Sequence, residues 1–267
     1  MAFETILVEK QDGIATLTLN RPERLNALNM TMLREVRSVM RGMEDDTDTR
    51  VIVVTGKGRA FTSGIDLKGD SEVRANLVFA PPYNFVKFYL TVVKDVMCGL
   101  QTLKVPVIAM MNGPAIGVGF DLAMACDIRI GCEHTLMNVG YPRRGIIPAG
   151  GGLWFLPRLV GMGRAAELIL TSRDISPEEG ERIGILNKMV PSERLEEETM
   201  AMARRLARGA TIALHLCKVN LYHNLHQDLS MAMDAFAAYQ TVAFGTEDTK
   251  EAWTAYLEKR EPVFRAR

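Results

Sequence analysis

Apolar and polar positions alternate through Thr5 to Lys10 and again through Ile14 to Asn20. A Gln-Asp-Gly turn separates the two runs, and the pattern predicts a β-hairpin. The period then lengthens. Leu33, Val36, Val39, Met40 and Met43 recur at helical spacing behind Asn29, whose side chain can cap a helix. Val51 to Thr55 is a short β-branched run ending at Gly56, the mark of a strand covered on both faces. Val105 to Met111 repeats that signal and leads through an Asn112-Gly113 turn into a helix over about Gly119 to Cys126. Ile128 to Ile130 is again strand-like. A helix over about Gly151 to Val160 is closed by Gly161. Ser176-Pro177-Glu178-Glu179 combines a capping box with a proline at the first helical position. A strand over Ile185 to Val190 follows and is stopped by Pro191.

Strands and helices thus alternate to about residue 190, which predicts an α/β layered core over residues 1–191. From Ser192 onward the pattern is helical, over Glu193 to Arg208, His215 to Phe244 and Thr246 to Arg260. This second region, 192–267, is expected to pack across the core or against another subunit. No repeat of fixed period and no low-complexity linker interrupts the chain.

Composition narrows the function classes. The 267 residues are 48% hydrophobic and 24% charged, ordinary for a soluble enzyme with one large core. Thirty-two Lys and Arg balance thirty-two Asp and Glu, which gives no support to a nucleic-acid partner or an anionic membrane surface. The start, MAFETILVEKQDG, lacks the basic and apolar segments of a signal peptide, and no apolar run is long enough to span a bilayer. Cys98, Cys126, Cys132 and Cys217 form no CxxC pair. They read as reduced, mostly buried thiols, for which the cytoplasm or another reducing compartment is the best fit.

Candidate chemistry concentrates in MNGPAIGVGFDLAMACD, Met111 to Asp127, where a strand, a turn and a glycine loop run into a helix carrying Asp121 near its first turn. Free amides and the positive end of the peptide dipoles meet there, suited to developing negative charge, beside an acid able to move protons. That suggests chemistry on a carbonyl compound. Other motifs fail. Gly117-Val118-Gly119 is followed by Leu122 where a dinucleotide fingerprint needs its third glycine. His215, His223 and His226 lack an acidic or cysteine set at ligand spacing, so no metal site is expected. Ser63-Gly64 is not a nucleophile elbow.

Six segments occur in one order: RPERLNALN, GKGRAFTSGIDLK, the Met111–Asp127 stretch, IIPAGGGLWFLPRLVG, LTSRDISPEEGERIGILNKMVP and YLEKREPVF. Together they resemble the enoyl-CoA hydratase/isomerase (crotonase) superfamily over essentially the whole chain. The resemblance implies a spiral core of repeated β-β-α turns and a C-terminal helical trimerisation region, assembled as a homotrimer or a dimer of trimers. It implies an acyl-CoA substrate whose enolate is held by two backbone N–H groups, placed by position at Ile65 and Val118. It assigns CoA contacts to Arg24, Ala27, Ser63, Asp66, Leu67 and Lys68. Tyr256 and Lys259 would reach the adenine or phosphate end, often from a neighbouring subunit. No separate cofactor is implied, since coenzyme A is part of the substrate.

The departures from that pattern are informative. Typical hydratases of the family carry two glutamates where this chain has Asp121 and Tyr141. A tyrosine, with an ordinary pKa of about 10, cannot replace a carboxylate base, though its hydroxyl can donate a proton or orient water. Arg143 and Arg144 either reach the pocket and lower the Tyr141 pKa or are solvated surface residues. Val118 stands where glycine is common, which keeps the N–H but demands ordinary backbone angles. Phe79, Tyr83, Phe85, Phe88 and Tyr89 line either an acyl pocket or the core. The leading expectation is reversible hydration of a 2-enoyl-CoA, as in fatty-acid metabolism, with Asp121 and Tyr141 catalytic. Double-bond isomerisation is the runner-up, and thioester hydrolysis, decarboxylation or C–C cleavage share the scaffold. A non-catalytic RNA-binding role is disfavoured by the charge balance.

Overall fold

The computed structural model describes residues 3–43, 45–77 and 81–266. Strands β1 (Ile6–Gln11) and β2 (Ile14–Leu19) form the expected hairpin, and Asp12 and Gly13 both take positive φ (51° and 77°), the tight turn that matches strand twist. Helix α1 (Met30–Gly42) starts where Asn29 Oδ1 accepts from the Met32 amide at 2.8 Å. Strand β3 (Val51–Gly56) is buried along its whole length. The variable segment is helical. It comprises α2 (Ser71–Leu77) and α3 (Pro82–Phe88), the latter continuing through a π-turn over Tyr89–Val93 into α4 (Lys94–Thr102).

Strand β4 (Val107–Met111), the short β5 (Ala115–Ile116), α5 (Val118–Ala125), β6 (Ile128–Gly131) and the short β7 (Met137–Asn138) follow. After α6 (Gly152–Val160) and α7 (Met162–Thr171), Ser176 caps α8 (Pro177–Ile183) by accepting from the Glu179 amide at 3.2 Å. The strand expected over Ile185–Val190 shrinks to β8 (Lys188–Met189). The Ile185 and Leu186 amides instead close α8 by donating to the Gly180 carbonyl.

The main sheet runs β1-β2-β3-β4-β6-β8, antiparallel at the hairpin and parallel from β2 onward. A second, sparse ladder stands beside it. Leu28 bridges Ile65, Thr62 bridges Ala115, β5 pairs with β7, and Met137 bridges Ile175. The chain therefore repeats one turn: a main-sheet strand, a short segment in the second ladder, then a helix. Main strands β2, β3, β4 and β6 feed short segments at 28, 62–65, 115–116 and 137–138, which feed α1, α2, α5 and α6. The connection is shortest at α1 and α5, which start at Met30 and Val118, two residues beyond Leu28 and Ile116.

The C-terminal helices are α9 (Leu195–Ala207), α10 (Thr211–His223), α11 (Leu229–Phe244) and α12 (Glu247–Glu258). The single helix expected over His215–Phe244 is broken, because Asp228 accepts from the Met231 amide and restarts the chain as α11. Helix α9 lies on the sheet, Ala203 and Ala207 packing with Val51, Val53, Ile108 and Ile130. Helix α11 buries no residue, and Leu229, Met231, Met233, Phe236, Val242 and Phe244 are exposed. Of the cysteines, Cys126 and Cys132 are buried, whereas Cys98 and Cys217 are exposed. Among the described residues no helix is long and apolar enough to cross a membrane.

Candidate active site

Register in the second ladder decides which amides meet. Thr62 pairs with Ala115, so the chains advance in step to Ile65 and Val118, three residues further on each. The Leu28 amide donates to the Gly64 carbonyl, and the Asp66 amide donates to the Leu28 carbonyl. In such a parallel bridge the intervening N–H, that of Ile65, points to the opposite edge. That edge faces Gly117 and Val118: a Cβ built on Gly64 would stand 3.6 Å from the Val118 nitrogen and collide with the Ile116 carbonyl oxygen at 2.5 Å. Gly64 takes φ +90° and Gly117 φ +58°, so both loops need glycine where they approach. Val118 itself opens α5 with its side chain buried. No protein carbonyl among the described residues accepts from the Ile65 or Val118 amide.

Asp121 sits in the first turn of α5, fully buried. Its Oδ2 accepts from the Tyr141 hydroxyl at 2.5 Å and from the Gly150 amide at 2.9 Å. Its Oδ1 is buried with no hydrogen-bond partner among the described residues. The glycine run explains how the loop closes so tightly. A Cβ on Gly150 would lie 2.5 Å from Oδ2, and one on Gly152 would strike Oδ1. Burial pushes the Asp121 carboxyl up from 3.8 to about 7, opposed by the Tyr141 hydroxyl and the Gly150 and Gly152 amides. Burial and the facing carboxylate push the Tyr141 hydroxyl well above its usual range. Arg143 and Arg144 are exposed, the latter donating to the Gly140 carbonyl, so neither favours phenolate. The glycine cradle at 150–152 was legible as a run of three glycines before a helix, but its target was not.

The residues expected around CoA divide in two. Arg24, Ala27, Ser63, Asp66, Leu67 and Lys68 gather beside the Ile65 amide: Ser63 donates to the Leu25 carbonyl, and Arg21 ties the Ala27 carbonyl to the Asp66 carboxylate. Arg24 and Lys68 are exposed. The Asp66 carboxylate is turned inward, paired with Arg21 at 2.9 Å and accepting from the Gly69 amide at 2.6 Å. Tyr256 and Lys259 are exposed at the end of α12, with no hydrogen bond, ion pair or ring contact to those loops among the described residues. Of the aromatic segment, Phe88 is core, Phe85 stacks on Tyr89 at 5.9 Å, Tyr83 is exposed, and Phe79 lies outside the described residues. Among the described residues no three His, Cys, Asp or Glu side chains are placed to share a metal ion.

The profile of the Enoyl-CoA hydratase/isomerase family matches residues 9–267. A protein named crotonyl-CoA hydratase from Syntrophomonas wolfei is 34% identical over 265 residues, covering 99% of both chains. A protein named short-chain-enoyl-CoA hydratase from Clostridium acetobutylicum is 34% identical over 266 residues, covering 98% of this chain and 97% of its own. The crystal structure of an enoyl-CoA hydratase from Bacillus anthracis superposes with a TM-score of 0.92 at 32% identity, covering 99% of this chain and all of that one.

Proposed function

The chain belongs to the enoyl-CoA hydratase/isomerase family of enzymes and has the crotonase fold. From that premise we propose that it adds water reversibly to the double bond of a 2-enoyl-CoA. The observation that carries this reading is the meeting of two loops, in register, at the start of the helix that bears a buried carboxylate. The thioester oxygen accepts from the Ile65 and Val118 amides, which sit at the positive end of α5. As negative charge develops on that oxygen, the two donors and the helix dipole stabilise it more than the ground state. Loss of one such donor typically costs about 2.7–4 kcal/mol of transition-state stabilisation.

Asp121, as carboxylate, takes a proton from water while the water oxygen bonds to Cβ and the double-bond electrons pass to the thioester oxygen. The enolate then collapses, Cα takes the proton back from Asp121, and the carboxylate is restored. No separate cofactor enters this scheme. The CoA moiety lies along Arg24, Ala27, Ser63, Asp66, Leu67 and Lys68, with Asp66 contributing main chain because its carboxylate is engaged with Arg21. Tyr256 and Lys259 serve a neighbouring copy in a homotrimer or dimer of trimers, assembled through the helical region 192–267 on the core 1–191. The enzyme works in the cytoplasm.

Asp121 is fully buried, with Gly150 and Gly152 of the segment that follows Tyr141 packed against its carboxylate. Gly140, just before this segment, and Gly145 and Gly151 within it all take positive φ. Purified protein is expected to bleach the conjugated thioester absorbance of crotonyl-CoA or of a longer or cyclic 2-enoyl-CoA. No loss with any of them overturns the hydratase reading. One observation favours isomerisation as a second reading, namely the single carboxylate, since one base can remove and return a proton. A rise in the same absorbance from a 3-enoyl-CoA would identify it.

A further inference from the structure

All the hydrogen bonds that the described residues 141–150 donate stay within the segment or reach Gly140 and Val139, with two exceptions. The Tyr141 hydroxyl and the Gly150 amide both cross to the body of the protein, and both end on one atom, Asp121 Oδ2. A carboxylate oxygen holding two donors, one at 2.5 Å, is a fixed anchor. The other oxygen, Oδ1, has no partner in hydrogen-bond geometry; the Gly152 amide lies near it and lowers the carboxyl pKa without closing such a bond. A tyrosine whose single proton is already given to a carboxylate has no proton left for a substrate, and its own ionisation is strongly disfavoured.

We infer that Tyr141 is a positioning residue, acting on the reaction only through Asp121, and that Asp121 Oδ1 is the one oxygen through which the proton leaves water and returns to Cα. The inference rests on the hydratase reading for the identity of the substrate, but the pairing itself does not. The position that carries a second carboxylate in typical hydratases here holds the first one in place. A buried carboxylate without donors resists taking its charged form, and a hydrogen bond to that form restores part of it. Tyr141 therefore sets the pH above which Asp121 is available as a base.

Few other charges face this carboxyl. Helix α5 carries no second titratable side chain in contact with it, and Asp127, just beyond its far end, is paired with Lys218. On α4, Lys94 is exposed and Asp95 pairs with Arg37 and Arg41. On α6, Arg158 lies over the Trp154 ring. The short β5 carries no charge, and Arg143 and Arg144 on the loop are exposed. Tyr141 is left as the titratable group in contact with Asp121.

The test compares wild type, Tyr141→Phe and a chain with 3-fluorotyrosine at 141, using two readouts. The first is the infrared carbonyl stretch of protonated Asp121 against pH, assigned by its absence in Asp121→Asn. The second is kcat against pH with crotonyl-CoA. Tyr141→Phe is expected to move both midpoints to higher pH by about one unit, a tenfold change in ionisation constant, so that its loss in kcat shrinks as pH rises. The fluorinated side chain, a stronger donor, is expected to move them the other way. Equal loss of kcat at every pH would mean that Tyr141 transfers a proton itself, and unchanged midpoints would mean that it only fills space. Either result overturns the inference. Shifted infrared midpoints in a protein that hydrates no enoyl-CoA would leave the pairing standing and remove the hydratase reading instead.

Discussion

Asp121 shows what a reactive group costs when it is buried. Its carboxyl is raised from 3.8 to about 7, so between those values the folded chain binds a proton that the unfolded chain does not. Stability is therefore fully present below about pH 4 and is lost as pH rises through about 7, by an amount on the order of 4 kcal/mol at most. Asparagine carries no such charge. Asp121→Asn is expected to match wild type in thermal melts near pH 4 and to melt several degrees higher at pH 8. The same variant is expected to lose 10²- to 10⁴-fold in kcat, the usual worth of general acid–base catalysis. The glycines around it are equally constrained. Gly150→Ala sets a methyl 2.5 Å from Oδ2, and an overpacking cost of about 1–3 kcal/mol in urea unfolding is expected, with at least a tenfold drop in turnover.

Two elements have roles larger than their length suggests. Helix α10 is bolted to the core through Lys218. Its Nζ reaches Asp127 Oδ2 at 2.7 Å and the Leu100 and Val105 carbonyls at 2.9 and 3.0 Å. Asp127 also accepts from the Val107 amide and the Tyr222 hydroxyl, both at 2.7 Å, so one carboxylate joins α10 to the entries of β4 and β6. Lys218→Met strands that buried charge and is expected to cost about 3–5 kcal/mol in urea unfolding. Adding Asp127→Asn should recover part of the loss. The 141–151 loop is the opposite case, fastened to the body by polar contacts to a single carboxylate oxygen. Amides 142–149 are expected to exchange hydrogen rapidly in the free protein and to gain protection with an unreactive acyl-CoA bound. Unchanged exchange would mean that a bound acyl-CoA does not engage this loop.

At the scale of the molecule, the exposed apolar side chains of α11 form a surface of the kind that soluble monomers avoid. Sedimentation is expected to give three or six times the chain mass. Phe236→Glu is expected to lower that mass and to raise KM for acyl-CoA, as the proposed reach of Tyr256 and Lys259 into a neighbouring site requires. Much of this architecture was legible in the chain. The hairpin, the β-branched strands and the Asn29 and Ser176 caps stood where the pattern put them. The break at Asp228 and the collapse of the Ile185–Val190 strand did not, because a local cap and a helix-closing contact outweighed periodicity there.

Local features were set by the sequence alone: which runs become strands, where helices start, and that a carboxylate stands in the first turn after a glycine loop. These depend on contacts within about four residues, which a contiguous string encodes directly. Only the tertiary structure decided that the Tyr141 hydroxyl donates a hydrogen bond to Asp121, twenty positions away, and that Gly150 and Gly152 fold over the same carboxylate. It also decided that Ile65 and Val118 advance in step from paired strands. Those meetings depend on the path of the spiral and on close packing. No local preference of the residues involved specifies either.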